Sequence, residues 1–119
     1  MSDELRVQQV APDVYVAGQL GPDAMAWAAA QGFRSVVNNR PDFEGGPDQP
    51  ANAAIEAAAR AAGLSYAYQP VAPGYHSPED IARFTQLLAT LPRPLLAFCR
   101  SGARSARLFM AAAASQGPG

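Results

Sequence analysis

Along this chain short apolar runs alternate with longer stretches in which apolar residues recur at helical spacing. Leu5–Val10 and Val14–Ala17 are β-prone runs on either side of Pro12-Asp13, a turn signal, and predict an antiparallel pair at one side of a sheet. Gly18 breaks the second run. Pro22 and Asp23 then open a helix, since proline suits a first turn and an acid favours the positive end. Met25, Trp27, Ala28 and Ala29 form its apolar surface, with Trp27 in the core, and Gly32 ends it. Ser35–Asn38 has the unalternated apolar character of a buried parallel strand. Ala51–Ala62 predicts a helix with Ile55 on its inner side, closed by Gly63. Leu64–Val71 predicts a strand, with Tyr66 and Tyr68 in alternation and Pro70 at its end. Ser77-Pro78-Glu79-Asp80 is a helix entry: serine as N-cap, proline at the first position, and Asp80 where a capping box needs an acceptor. Ile81, Phe84, Leu87, Leu88 and Leu91 make the inner stripe. Leu95–Phe98 is a last buried strand, Ser105–Ala114 a last helix, and Gln116–Gly119 a frayed end.

The order β-β-α-β-α-β-α-β-α predicts an α/β fold, a mainly parallel central sheet flanked by helices on both faces. The 119 residues suffice for one domain, 1–119, and show no repeat or linker. A net charge of −1 gives no case for nucleic acid or an anionic membrane. All the basic residues are arginines, so no lysine can form a Schiff base or serve a Walker loop. A single cysteine excludes an intramolecular disulfide, and no cysteine/histidine cluster points to a metal or other cofactor. Met1–Glu4 has no apolar signal segment and no long apolar run follows, so a cytoplasmic location without membrane contact is expected.

The chemistry concentrates at Cys99-Arg100-Ser101-Gly102-Ala103-Arg104-Ser105, between the last strand and the last helix. A lone thiol is most often a buried structural one. Here Gly102 permits a tight turn whose amides point inward as an anion nest, and the helix start adds positive potential. Both lower a thiol's pKa and make it a nucleophile. Arg104 adds a guanidinium fork for an oxyanion. Cys99 and Arg104 are therefore the catalytic candidates, with Arg100, Ser101, Gly102, Ala103 and Ser105 as the anion-binding loop. Asn39 and Arg40 follow a parallel strand at its carboxyl end, the ligand-binding edge of open α/β sheets, although the stretch also fits an ordinary polar loop. The loop Phe43–Pro50 is too rich in glycine and proline for regular structure and reads as a flap. Ala72–His76 is a loop on the same face. Asp42 and His76 are the candidate proton donors, while Glu79 and Asp80 belong to their helix N-terminus.

Cys-Arg-Ser-Gly-x-Arg-Ser after an apolar strand resembles the active loop of single-domain rhodaneses, which carry sulfur as a cysteine persulfide. It also resembles the protein tyrosine phosphatase loop, with two departures: the arginine comes one residue early, and Phe98 stands where those enzymes have histidine. Val14–Leu20, Gly32–Asp42, Tyr68–Val71 and Cys99–Gly102 together resemble the beta-lactamase hydrolase-like, phosphatase-like domain family, over Leu5 to Ala113. That resemblance implies a protein tyrosine/dual-specificity phosphatase-like fold. It also implies a persulfide-dioxygenase-like partner protein and one of two chemistries, since members have been named phosphatases and sulfurtransferases.

A phosphatase needs an acid for its leaving alkoxide. The family fold supplies it from the loop after the strand ending near Val71, and here Pro70–Tyr75 has no carboxylate. Sulfane-sulfur transfer expels a stable thiolate or sulfite and needs no such acid, and a shorter loop suits a small sulfur anion. From the sequence we therefore favour a sulfurtransferase moving sulfane sulfur through a Cys99 persulfide to a thiol or sulfite acceptor. The alternative is a phosphatase working through a Cys99 phosphocysteine, and the third option is a non-catalytic anion-binding module.

Overall fold

The computed structural model describes residues 7–115. They form β1 (Val7–Ala11), β2 (Val14–Ala17), α1 (Ala24–Ala30), β3 (Ser35–Asn38), α2 (Asn52–Ala61), β4 (Ser65–Tyr68), α3 (Pro78–Thr90), β5 (Leu95–Phe98) and α4 (Ala103–Ser115). Leu5 and Arg6 of the expected first strand, and the expected frayed end 116–119, lie outside the described residues.

The strands make one sheet in the order β1-β2-β5-β3-β4. β2, β5, β3 and β4 are mutually parallel, and β1 closes one edge antiparallel to β2. β3 and β5 are buried along their whole length, because helices cover both of their faces and no position is left for a solvated side chain. Alternation sends Val36, Leu96 and Phe98 to one face, where they pack with Met25 and Ala28 of α1 and Ile55 and Ala59 of α2. Val37, Leu95 and Ala97 point the other way, against Phe84 of α3 and Leu108 and Ala112 of α4. Phe84 is fully buried, so its truncation to alanine would cost about 3–5 kcal/mol. This is the expected α/β architecture. Among the described residues no helix is long and apolar enough to cross a membrane.

α3 starts as its sequence dictates: Ser77 Oγ accepts from the Asp80 N–H at 3.0 Å, and the Asp80 carboxylate accepts from the Ser77 N–H at 2.9 Å. Three boundaries and the burial of Trp27 depart from expectation. At α1 the N-cap is Asp23, which makes no side-chain cap bond, so Pro22 precedes the helix instead of opening it. Trp27 is only partly buried: beside Tyr15 and Phe33 it flanks an apolar cleft of about 320 Å³ that Val7 and Pro94 also line. β4 ends at Tyr68, yet the Gln69 and Val71 N–H groups still bond Asn38 and Asn39 carbonyls, so the chain tracks the end of β3. α4 begins at Ala103, two residues earlier than expected. Gly102 at φ +93° closes the turn at once, and Ala106 N–H reaches the Gly102 carbonyl at 2.9 Å.

Candidate active site

Parallel strands deliver their following loops to one edge of the sheet. Here the segments after β2, β3, β4 and β5 are stitched together by backbone bonds. Cys99 N–H donates to Ala17 O at 3.3 Å and Gln19 N–H to Arg100 O at 3.2 Å. Asn39 N–H donates to Phe98 O at 2.8 Å, and Val71 N–H to Asn39 O at 3.0 Å. Cys99 is thus fixed by an extension of the sheet ladder before the chain turns into α4. The turn also requires glycine on steric grounds, since a Cβ on Gly102 would lie 3.3 Å from the Ala17 carbonyl carbon.

The Cys99 sulfur is ringed by donors. Gly102 N–H points to Sγ at 3.1 Å, and Ser101 and Ser105 amides and the Ser105 hydroxyl face it as well. Burial pushes the thiol pKa up, but these donors outweigh it and leave the thiol below its ordinary range. The residue is 1 % exposed. Ser105 Oγ also lies 2.8 Å from Asn39 Oδ1, and its one proton serves either Asn39 or the sulfur. Asn39 is held in turn by its Nδ2, which donates to Gln69 O at 3.0 Å.

Beside this loop lies a cavity of about 430 Å³ lined by Arg40, Glu44, Gly45, Pro73, Arg100 and Arg104. Arg40 and Arg104 are nearly buried, and Arg100 is exposed at the rim. The Arg104 fork is already engaged: Nη1 donates to Val71 O at 3.1 Å and Nη2 to Glu44 Oε1 at 3.0 Å. Arg40 donates through Nε to the same Oε1 at 2.8 Å and through Nη1 to Gln19 Oε1 at 3.0 Å. One carboxylate oxygen therefore bridges two guanidinium groups, the charge complement a bound oxyanion would supply. Partial burial works against the Glu44 charge, but hydrogen bonds and charge from Arg104 and Arg40 hold its carboxyl below the usual range.

The other candidates are placed elsewhere in the network. Asp42 is not in the cavity wall: its Oδ1 accepts the Asn52 N–H at 2.8 Å and so caps α2, while its own N–H donates to the Tyr68 hydroxyl at 2.8 Å. His76 is partly buried on the loop before α3 and does not line the cavity. Ser101 and Ala103 are exposed, and Ser101 Oγ accepts the Ala103 N–H at 3.3 Å. Sequence reasoning treated Glu44 as part of an irregular flap and missed it. Its only mark was an acid four residues after Arg40 with Gly45-Gly46 behind it, and that spacing signals an ion pair in a helix, not in a loop. Among the described residues no group of histidine, cysteine, aspartate or glutamate side chains could hold a metal ion.

A thiol just before a helix, at the carboxyl edge of a parallel sheet and on a loop whose arginines line a cavity, fits a phosphatase-like α/β domain. The chain belongs to the family described as beta-lactamase hydrolase-like protein, phosphatase-like domain, which matches residues 5–116. It is 37 % identical over 105 residues to the beta-lactamase hydrolase-like protein of Xylella fastidiosa (strain 9a5c); the match covers 88 % of this chain and 24 % of that protein. The chain thus spans about a quarter of that curated relative's length. Among solved structures it is similar to a proposed phosphatase of Neisseria meningitidis z2491, with 29 % identity and a TM-score of 0.83, over 94 % of this chain and 79 % of that one. Tk-PTP in its active form shares the fold alone, at 16 % identity and a TM-score of 0.57, over 95 % and 85 % of the two chains.

Proposed function

We propose that this chain hydrolyses phosphomonoesters through a Cys99 phosphocysteine. The observation that carries the proposal is the pairing of a donor-ringed, easily ionised Cys99 with an arginine cavity on the same loop. Family membership and the neighbouring phosphatase folds add support. The loop after β4 carries no carboxylate, but Glu44 lines that cavity from the loop after β3.

The Cys99 thiolate attacks phosphorus as the bond to the ester oxygen breaks, and the leaving oxygen takes the electron pair and a proton. Water then attacks the phosphocysteine, the phosphorus–sulfur bond breaks, and its electron pair returns to the thiolate with release of orthophosphate. Inward amides and the Arg104 and Arg40 guanidinium groups offset the charge on the phosphoryl oxygens in both steps. Gln19 and Val71 O hold those two arginines in place.

One observation favours sulfane-sulfur transfer instead: Cys99 and Arg104 are separated by one residue fewer than in the phosphatase pattern, and the sulfur lies in a tight, covered socket. One sample separates the two. Wild type is expected to release orthophosphate from an aryl phosphate at least ~10⁴-fold faster than Cys99→Ser. Intact mass after exposure to thiosulfate is expected to stay unchanged. A gain of one sulfur on Cys99 without phosphate release would establish sulfur transfer and overturn the proposal.

A further inference from the structure

We infer that Glu44 is the proton donor to the leaving group, and that substrate itself frees it for this task by taking over its two arginines. The inference rests on the phosphatase reading and adds a residue to it. Glu44 Oε1 sits between Arg104 Nη2 and Arg40 Nε, where an oxygen of a phosphoryl group would bind. Both cannot hold the same donors. A phosphoryl group entering the cavity replaces the carboxylate, which then faces a phosphate in place of two guanidinium groups. Losing two cations and gaining an anion as neighbour favours the protonated carboxyl, which takes its proton from solvent.

The groups that face it are few and named: Arg40 on its own loop, Arg104 on α4, and Arg100 across the cavity. Asp42, on the same loop, is occupied at the start of α2 and does not line the cavity. The flap is built to keep Glu44 close after displacement. Gly45 packs so tightly on Arg40 that a Cβ there would lie 2.6 Å from Nη2, and its N–H donates to Gln49 Oε1 at 2.6 Å. Gln49 Nε2 in turn donates to Pro41 O at 2.9 Å. The displaced carboxyl therefore stays at the cavity wall, and the leaving oxygen must point away from Cys99 for in-line attack. The Glu44 O–H gives its proton to that oxygen as the phosphorus–oxygen bond breaks. The resulting carboxylate then accepts a proton from the water that attacks the phosphocysteine.

The test uses two esters and the Glu44→Gln variant, which keeps shape and removes the acid. Phenyl phosphate has a leaving group that needs a proton, and 2,4-dinitrophenyl phosphate has one that does not. The readout is kcat/KM, which reports the first bond cleavage. Glu44→Gln is expected to lose on the order of 10²–10³-fold on phenyl phosphate and under ~5-fold on the dinitrophenyl ester. Glu44→Asp, which retains an acid, is expected to recover part of the loss on phenyl phosphate only. Inorganic phosphate should inhibit Glu44→Gln at lower concentration than wild type, because its internal competitor is gone. Equal losses on both esters would make Glu44 a positioning residue for Arg104 and overturn the inference. No loss on either would overturn it too. Failure of wild type to hydrolyse either ester would overturn the phosphatase reading itself, and the inference with it, which is a different result from an active wild type with an unaffected variant.

Discussion

Two loops meet at the carboxyl edge of the sheet, and different forces hold them. The Cys99–Gly102 turn is short, continues the β2–β5 ladder through Cys99 N–H, and runs straight into α4. Its geometry comes from backbone groups that no single side chain controls. The loop between β3 and α2 is long and irregular and relies on side chains: Arg40 with Glu44, Gln49 with Gly45 and Pro41, and Asp42 with Asn52. It even carries Phe43, 81 % exposed, in the left-handed region at φ +70°, a conformation that costs a non-glycine residue about 1–2 kcal/mol. The Cys99 turn is therefore held by its backbone, whereas the opposing loop is held by side-chain contacts that a competing anion can replace.

The comparison can be broken most sharply at two glycines. Gly102 and Gly46 both have positive φ, at +93° and +87°, but only Gly102 has backbone within reach of an added Cβ. Gly102→Ala should destabilise the protein by roughly 2–4 kcal/mol in urea denaturation, combining a left-handed alanine with a clash at Ala17. It should also slow alkylation of Cys99 by iodoacetamide. Gly46→Ala should cost only about 1–2 kcal/mol, from φ alone, and leave Cys99 alkylation unchanged. Equal effects in the two variants would mean that the Cys99 turn is no more constrained than the flap.

Asp42→Asn comes next in size. Its carboxylate caps α2 across the loop, so the variant should lose about 0.5–2 kcal/mol of stability. Its aryl-phosphate kcat should hold well within the ~10²-fold that a missing acid would cost. A large loss of kcat without loss of stability would return Asp42 to the role of acid.

The charge that holds the flap should also show in acid. Glu44 has a carboxyl pKa lowered in the folded protein, so its contribution is fully present above the unfolded carboxylate value, ~4.3. That contribution is lost as pH falls through the lower folded value. Pepsin cleavage within residues 43–49 should therefore stay slow until the pH falls below the ordinary carboxylate range. In Glu44→Gln, which keeps the Gln49 and Asp42 contacts, that dependence on pH should disappear. Cleavage that is independent of pH in wild type would show that the ion pairs do not hold the loop.

The smallest effect is expected at an ion pair of the same chemistry in open water. Glu56–Arg60 on α2 has an N···O distance of 2.8 Å, much like Glu44–Arg40, but its side chains are 38 % and 59 % exposed. Arg60→Ala should change stability by only about 0.3–0.5 kcal/mol, and that difference should vanish in high salt. A larger effect would mean that short distance, and not burial, sets the strength of both pairs.

Much of this molecule was legible in the chain. Unalternated apolar runs at Ser35–Asn38 and Leu95–Phe98 specified buried parallel strands, and the capping box at Ser77–Asp80 specified where α3 starts. The spacing of Cys99, Gly102 and Arg104 at a strand–helix junction marked the turn whose amide faces the sulfur, because that geometry is local: sulfur, amides and helix start lie within a few residues. The partners of the site were not legible. Arg40 and Arg104 lie far apart in sequence and meet on one Glu44 oxygen only because β3 and β5 are neighbours in the sheet. Asp42 resembled an acid in the sequence, but the packing of α2 against β4 put Asn52 N–H within its reach. The sequence by itself determined the elements and the turn that carries Cys99, since periodicity, caps and a tight turn are set by near neighbours. Only the tertiary structure decided which carboxylate faces the arginines, since strand order and loop closure bring together charges that no local pattern links.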